Sequence, residues 1–233
     1  MKICLFGISG VPLGKHNVKD TRLDKADELV EAKKKIYVQV DFVGEDEIGD
    51  AEAILTSETG KPDLILHDLE FIEMRLSREP SATELVVLNK TKAQLEKEDF
   101  LFKLDLNADE KLQIASYGLY TLKPVVVAPQ EAIETIDEFL PKVLEASNNI
   151  SFLTVGGKEN RAWLIRKGVT AWEAAGTIHS DIQKGFIRAE IISYEDFINA
   201  GGETQAKRAN KMRLETKEYV MQDYDLVNFR FNK

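Results

Sequence analysis

The first 150 residues alternate short runs of β-branched and aromatic side chains with amphipathic stretches, a pattern typical of an α/β domain. The runs Lys2–Gly7 and Lys35–Val43 end at glycines and predict strands, and Pro124–Ala128 predicts a short buried strand. Residues 23–34 carry apolar side chains at helical spacing and predict a short amphipathic helix, as do residues 132–146.

A pair of helices is predicted between these strands. Leucines and isoleucines recur among acidic residues over Asp63–Arg78, and Pro80 ends that helix. Ser81 and Glu84 have the spacing of a capping box and begin a second helix that runs to about Phe100. The two helices predict an antiparallel hairpin over about residues 63–100. Another helix is predicted to begin at Asn107 and to end near residue 120.

The pattern changes at Ile150, where short strands become interleaved with few helices. Strands are predicted at Ser151–Val155, Ala162–Ile165, Phe186–Ile192, Tyr219–Val220 and Leu226–Phe231, and helices at Ala171–Ala175 and Tyr194–Asn199. This pattern indicates a compact α+β module. We therefore expect two domains, residues 1–149 and 150–233.

Composition excludes some classes of protein. No apolar run approaches the ~20 residues that span a bilayer, and the apolar run at the N-terminus is too short for a signal peptide. A single cysteine excludes an intramolecular disulfide framework and fits a cytoplasmic protein. The net charge of −9 argues against a free-standing nucleic-acid binder. The charge is uneven, however, with 13 basic against 11 acidic residues over 151–233 and 18 against 29 before them.

The C-terminal part carries a recognisable set of motifs. They are Arg161-Ala-Trp-Leu-Ile-Arg-Lys-Gly168, Ala174-Ala-Gly-Thr-Ile-His-Ser-Asp181, Lys184-Gly-Phe-Ile-Arg-Ala-Glu190 and Asn228-Phe-Arg-Phe-Asn232. This set resembles the C-terminal TGS domain of the YchF family of Obg-related P-loop ATPases and GTPases. The resemblance implies a β-grasp, ubiquitin-like fold for this module. Together with the N-terminal pattern it implies an α+β protein, in which an α/β remnant of a P-loop G domain with a helical hairpin precedes the TGS domain.

Two positions depart from the pattern of that family. Trp172 stands where the family usually has proline, and Tyr224 stands where it usually has glycine in a tight turn. A tyrosine at positive φ is strained, so we expect the turn at Tyr224 to have changed type. The side chains expected to fill the core of the module are Trp163, Ile165, Phe186, Ile187 and Ile191.

The nucleotide-binding half of the family is poorly matched. A P-loop needs Gly-x-x-x-x-Gly-Lys-Ser/Thr, whose backbone amides bind phosphate and whose hydroxyl binds magnesium. Counting back from Gly14 and Lys15, Ser9 holds the first glycine position, His16 holds the hydroxyl position, and Pro12 removes a backbone donor. An alternative is a divergent site for ATP or GTP with magnesium, formed by Gly10, Gly14, Lys15 and Glu131.

A second way of aligning the N-terminal part with the YchF family accounts for more of its residues. The segment Gly10–Asp24 resembles the family segment that follows switch I. The Asp-x-x-Gly motif expected at residues 44–47 is then Gly-Glu-Asp-Glu, and the Asn-x-x-Glu base reader expected at 128–131 is Ala-Pro-Gln-Glu, where only Glu131 matches. Because the phosphate, γ-phosphate and base contacts fail together, we expect a truncated and degenerate nucleotide domain with no catalytic residue, no bound metal and no cofactor.

Candidate binding residues therefore lie mainly in the C-terminal module. A basic face that contacts ribosome or RNA is expected from Arg161, Arg166, Lys167, Lys184 and Arg188. The alternative is an ordinary charged surface, which is also the interpretation favoured for a second cluster at 207–213. The hairpin at 63–100 is a candidate protein-docking surface. His179 beside Asp181 is interpreted as a cap and not as a catalytic pair.

Overall fold

The computed structural model describes residues 1–129 and 135–232 of the 233-residue chain. Its strands are β1 (Lys2–Phe6), β2 (Gly14–Val18), β3 (Lys35–Ile36), β4 (Val38–Val43), β5 (Ala53–Ser57), β6 (Val125–Ala128), β7 (Asn149–Thr154), β8 (Asn160–Arg166), β9 (Phe186–Ile192), β10 (Arg213–Glu215) and β11 (Leu226–Phe231). Its α-helices are α1 (Thr21–Leu29), α2 (Lys61–Leu76), α3 (Ala82–Leu95), α4 (Ala108–Ile114), α5 (Ile136–Ala146), α6 (Ala171–Ile178), α7 (Ser180–Lys184), α8 (Tyr194–Ala200) and α9 (Glu203–Arg208).

These elements divide into two compact units. The first unit contains residues 1–16 and 40–147, and the second contains residues 17–39 and 148–233. Residues 17–39 thus group with the C-terminal part, although they lie far from it in sequence. Within the second unit, β3 pairs in parallel with β8, and the Asn160 amide donates to the Asp27 carboxylate at 2.7 Å.

The first unit is built on a five-stranded sheet of order β2-β4-β1-β5-β6, in which β4, β1, β5 and β6 are parallel. The strands β1, β5 and β6 read as nearly continuous apolar runs, and all five residues of β5 are buried, as expected for parallel strands covered by helices. The carboxyl ends of these strands therefore meet at one edge of the sheet, where α/β proteins usually bind ligands.

Helices α2 and α3 form a packed pair whose buried leucines and isoleucines join the sheet residues in one core. Ser81 caps α3 by accepting from the Glu84 amide at 3.3 Å. Arg75 of α2 binds the Glu84 carboxylate at 2.6 and 3.1 Å, and Lys92 of α3 binds Glu73 at 2.7 Å. The hairpin is therefore joined by ion pairs at its surface and by apolar packing underneath.

The second unit is built on a six-stranded mixed sheet of order β10-β9-β11-β7-β8-β3. The hairpin β7–β8 is antiparallel, and β11 lies between β7 and β9, parallel to β7 and antiparallel to β9. Side chains alternate between the two faces of the sheet. One face packs Phe152, Ile191 and Phe229 against α6, and α8 contributes Phe197 beside Ile192 and Leu226 on the other face.

Several local predictions need correction. The single strand predicted at 35–43 is two strands, because β3 pairs with β8 in the second sheet while β4 belongs to the first sheet. Ile187 does not fill the core, since 45% of it is exposed at the start of β9. The polar strands β2 and β10 were not predicted.

Tyr224 retains the backbone conformation that we expected to be lost. Its φ is +60°, yet the residue is only 2% exposed. The Arg22 guanidinium carbon lies 3.5 Å from the centre of the Tyr224 ring, and Tyr194 meets the ring edge-on at 5.7 Å. Burial, stacking and edge-to-face packing thus offset a strain of about 1–2 kcal/mol.

Candidate functional site

The loop after β1 contains the residues that most resemble a phosphate loop. Gly7, Gly10 and Gly14 have φ of 63°, 83° and 99°, a conformation open mainly to glycine. The loop does not lead into a helix. Gly14 and Lys15 begin β2, so Lys15 extends from an exposed strand position and not from the N-terminus of a helix. The helix dipole and the aligned amides that hold phosphate in a P-loop are therefore missing at Lys15.

The backbone amide of Gly7 already has a protein partner. It donates to the Glu45 Oε1 atom at 2.9 Å. A Cβ at Gly7 would lie 3.1 Å from the Ser57 hydroxyl and 3.2 Å from the Gly60 Cα, so the loop is closely packed against the turn after β5. A carboxylate at this amide repels a phosphate, because both groups are anionic.

His16 occupies the position that would supply the magnesium-binding hydroxyl. Its Nε2 lies 2.7 Å from the Asp137 carboxylate of α5, and its ring stacks on Phe42 at 4.8 Å. The side chain is therefore committed to contacts within the first unit. Among the residues that the structure describes, no group of three or more His, Cys, Asp or Glu is placed to hold a metal ion.

The remaining nucleotide positions lie at the carboxyl ends of the parallel strands. Glu45 and Asp46 follow β4, where the γ-phosphate sensor was expected. After β5 the Ser57 hydroxyl accepts from the Gly60 amide at 3.0 Å and closes the turn that starts α2. Ala128 ends β6, but Glu131 lies outside the described residues. This edge of the sheet carries carboxylates and turn-forming hydroxyls, which suits structural closure better than binding of a polyanion.

The single cysteine of the chain is structural. Cys4 is fully buried in β1, and burial raises the pKa of its thiol to about 12. The thiol therefore stays protonated and unreactive at neutral pH.

The five basic residues expected to form one face do not share one face of the second sheet, since three lie in its strands on both faces and two lie outside it. Arg161 lies four residues before Ile165 in β8, so both point to the face that carries α6. Arg166 ends the strand and points to the opposite face. Arg188 is in β9, three strands away, about 14 Å at ordinary strand spacing. Lys167 lies in the turn after β8 and Lys184 at the end of α7.

Arg161 is also occupied by neighbours. Its guanidinium carbon lies 3.9 Å from the centre of the Trp163 ring, and its Nη1 lies 3.5 Å from Glu159. Stacking on tryptophan is a strong form of cation–π contact. Arg188 is exposed and, within the described part of the chain, forms no ion pair.

His179 is a helix cap. Its Nδ1 accepts from the Asp181 amide at 3.1 Å at the start of α7, and both side chains are more than 60% exposed. Both groups are open to solvent, and their contact closes the first turn of α7. Trp172 is 43% exposed near the start of α6.

One pairing of basic residues was not predicted from the sequence. Arg230 of β11 lies directly opposite Arg188 of β9, and the buried Glu190 binds its guanidinium. The signal available was the alternation of Arg188 with Glu190 and of Asn228 with Arg230, but the register of two strands with 33 residues between them cannot be derived from the sequence.

Comparison with known proteins identifies the family. Residues 149–232 match the family described as "YchF-GTPase_C: Protein of unknown function (DUF933)". The chain is 36% identical over 232 residues to the "Ribosome-binding ATPase YchF" of Escherichia coli O157:H7, covering 73% of this chain and 64% of that protein. It is 33% identical to the protein of the same name from Pasteurella multocida, covering 80% of this chain and 68% of the relative. The identity reaches 54% over 85 residues with the protein of the same name from Buchnera aphidicola subsp. Acyrthosiphon pisum, covering 36% of this chain and 24% of the relative.

The solved structure of the Schizosaccharomyces pombe YchF GTPase has the same fold, with a TM-score of 0.72, 21% identity and coverage of 99% of this chain and 97% of that one. The fold is therefore that of a YchF-type GTPase. The chain belongs to the YchF family. It spans 64% of the length of the Escherichia coli relative. In the described part of the chain, every helix is too short or too polar to cross a membrane.

Proposed function

We propose that this chain is a cytoplasmic, ribosome-associated binding protein of the YchF family that does not hydrolyse nucleotide. In this proposal the first unit is a degenerate remnant of a P-loop G domain. The ribosomal RNA contact is made by a β-grasp TGS domain at residues 150–233. Relatives that share the family carry the name ribosome-binding ATPase, which motivates the ribosome as partner.

The loop after β1 supports the loss of hydrolysis. The Gly7 amide is bound by the Glu45 carboxylate at 2.9 Å, and Lys15 extends from a strand. Hydrolysis of a nucleoside triphosphate depends on positioned phosphates, a bound magnesium ion and a positioned water. With His16 paired to Asp137 in place of a hydroxyl, the residues present do not fit magnesium nucleotide.

The topology of the second unit supports the TGS expectation. A β-hairpin, a helix and a second group of strands are followed by a last strand that returns beside the first one, parallel to it. This is the arrangement that a β-grasp requires. Residues 151–233, which belong to this unit, are also the less acidic part of the chain, with 13 basic against 11 acidic residues. An RNA contact is therefore more favourable here than on the strongly acidic remainder.

Calorimetric titration of nucleotide-stripped protein with ATP and GTP, each with magnesium, tests the loss of the nucleotide site. We expect no saturable heat and no rise in melting temperature at millimolar nucleotide. Saturable binding of either nucleotide contradicts this part of the proposal. Ribosome association is tested separately by co-sedimentation at low salt, and it should weaken as salt rises because phosphate contacts release counterions.

A second function is favoured by the glycines of the loop. Gly10 and Gly14 keep positive φ, and the loop lies at the carboxyl edge of the parallel strands, where ligands bind in related architectures. This function is binding of ATP or GTP with magnesium at an atypical site that includes Lys15. Lys15→Ala should then abolish nucleotide binding, while Lys25→Ala, an exposed lysine of α1, leaves it unchanged.

The helical hairpin is proposed as a surface for a protein partner. Leu66 of α2 and Val86 of α3 are 51% and 62% exposed. Replacing both with serine should reduce recovery of a protein partner from ribosome-free extract without changing RNA affinity. Unchanged recovery argues against the hairpin as a docking surface.

A further inference from the structure

Two arginines face each other across neighbouring strands of the second sheet. Arg188 of β9 and Arg230 of β11 are direct partners in the antiparallel register. Partners of this kind have Cβ atoms about 4.5–5.5 Å apart and point to the same face of the sheet. Both residues are exposed, and the Arg230 side chain is 61% exposed. Their two positive charges therefore lie side by side on one accessible surface.

A buried carboxylate orients one of the two arginines. Glu190 lies two residues beyond Arg188 on the same face and is 6% exposed. It accepts hydrogen bonds from the Arg230 guanidinium and, at 2.9 Å, from the Asn228 amide nitrogen. Arg230 is thus held in place by a fixed anchor, so binding of a ligand immobilises less of this side chain.

Arg188, the other arginine of the pair, keeps its charge available to a ligand. Within the part of the chain that the structure describes, Arg188 has no carboxylate within ion-pair distance, and its Nη1 atom contacts only the Ile187 carbonyl oxygen at 3.3 Å. Like charges placed directly opposite each other destabilise a sheet. One carboxylate against two guanidinium groups leaves a net positive site, which a bound anion would neutralise.

We propose that Arg188 and Arg230 form a clamp for a phosphate group of RNA. The guanidinium group matches phosphate geometry with two parallel hydrogen bonds, and two such groups at neighbouring positions can bind one phosphate from two sides. Asn228 is exposed in the same row of β11 and supplies a further polar contact to the ribose or phosphate. The proposal rests on the proposed RNA contact and assigns that contact to the β9–β11 surface.

The test uses the full chain and a short fluorescein-labelled single-stranded RNA of mixed sequence, with binding followed by anisotropy over a series of salt concentrations. Arg188→Gln should weaken binding by about tenfold at low salt. It should also reduce the slope of log affinity against log salt by about 1. Glu190→Gln should strengthen binding, because the glutamine oxygen still accepts from Arg230 and anchors it, while the negative charge that competes with phosphate is removed.

Arg161→Gln is the matched control. It removes one arginine from the same sheet, but that arginine is stacked on Trp163 and lies on the opposite face. Its RNA affinity should stay within about twofold of the unmodified protein, as for a surface change away from the contact. Tryptophan fluorescence melts of all three variants establish that each one is folded.

The outcomes separate the clamp from the proposed function. If the unmodified protein binds RNA and Arg188→Gln binds equally well, the clamp is wrong while the RNA contact stands. If Arg188→Gln loses affinity for poly-glutamate as much as for RNA, the site is a general anion surface and the phosphate assignment is wrong. If the unmodified protein neither binds RNA nor sediments with ribosomes, the proposed function fails and the clamp fails with it.

Discussion

Arg22 joins three side chains of the second unit, and replacing it with methionine tests the account of how that unit is held together. The guanidinium Nε and Nη2 atoms bind the Asp20 carboxylate at 3.1 and 2.7 Å. The Nη1 atom binds Asp223 at 2.6 Å, and the guanidinium plane covers the Tyr224 ring. Arg22→Met keeps an unbranched apolar stem and removes the guanidinium group, and with it each of these contacts.

The expected loss of stability follows from the exposure of each partner. Asp20 is 13% exposed, so loss of its charged hydrogen bonds costs about 1.5–3 kcal/mol. Asp223 is 42% exposed, and its ion pair contributes only about 0.2–1 kcal/mol. The stacking on Tyr224 adds about 0.5–2 kcal/mol. Because neighbouring contacts are not additive, we expect a total loss of about 3 kcal/mol in the free energy of unfolding.

Urea unfolding followed by tryptophan fluorescence measures this loss of stability in the second unit. The chain has two tryptophans, Trp163 and Trp172, and both lie in the second unit. Arg208→Met, at an exposed arginine of α9, is the matched control and should change stability by less than about 0.5 kcal/mol. Arg22→Lys should fall between the two, since lysine keeps the charge but not the planar fork. A loss below about 1 kcal/mol for Arg22→Met would refute the reasoning, because the charged contacts to Asp20 alone exceed that value.

Three further changes have defined outcomes. Gly185→Ala places a Cβ 2.1 Å from the Asn232 carbonyl oxygen and should cost about 1–3 kcal/mol, whereas Gly157→Ala, with no atom within 4 Å of its Cβ, should be nearly neutral in the same urea assay. Burial opposes ionisation of Asp20, but hydrogen bonds from Arg22 and Tyr224 outweigh it and lower the pKa of this carboxyl. Its contribution to the free energy of unfolding is therefore complete above the pKa of the unfolded state and is lost as the pH falls through the pKa of the folded state. Asp20→Asn should therefore flatten the acid limb of a stability curve measured between neutral pH and pH 3; an unchanged limb contradicts this origin. Lys123 donates to three backbone carbonyls at 2.6–2.8 Å, and Lys123→Met should cost about 2 kcal/mol in the first unit, measured by circular dichroism.

Elements with strong local patterns were predictable from the sequence. The buried strand β1 and the capped helix α3 follow from apolar runs and from Ser81 with Glu84. The strand β2 was not predictable, because its sequence Gly-Lys-His-Asn-Val has a single buried residue, Val18, and gains its order from pairing with a neighbour.

Long-range arrangements explain the other failures. The grouping of residues 17–39 with the C-terminal part depends on contacts such as that of Asn160 with Asp27, 133 residues apart. Tyr224 keeps positive φ because Arg22 and Tyr194 pack against it, which local propensity cannot reveal. The pairing of Arg188 with Arg230 similarly depends on strand register, so the sequence indicated basic residues but not which of them lie together.

The family relationship was visible in the C-terminal motifs, and the comparisons confirm that the chain belongs to the YchF family. The structure adds a physical reason for the expected loss of hydrolysis. A glycine-rich loop is present, but its first amide is bound by Glu45 and its lysine belongs to a strand. We therefore propose that the loop keeps glycines at positive φ but no longer binds phosphate.

The central claim is association with the ribosome without use of nucleotide. The most direct test is co-sedimentation of the nucleotide-stripped chain with ribosomes at low salt, repeated with saturating ATP or GTP and magnesium. We expect pelleting that is the same with and without nucleotide, and that is weakened by salt and by Arg188→Gln. No pelleting at low salt, or pelleting that depends on either nucleotide, would contradict it.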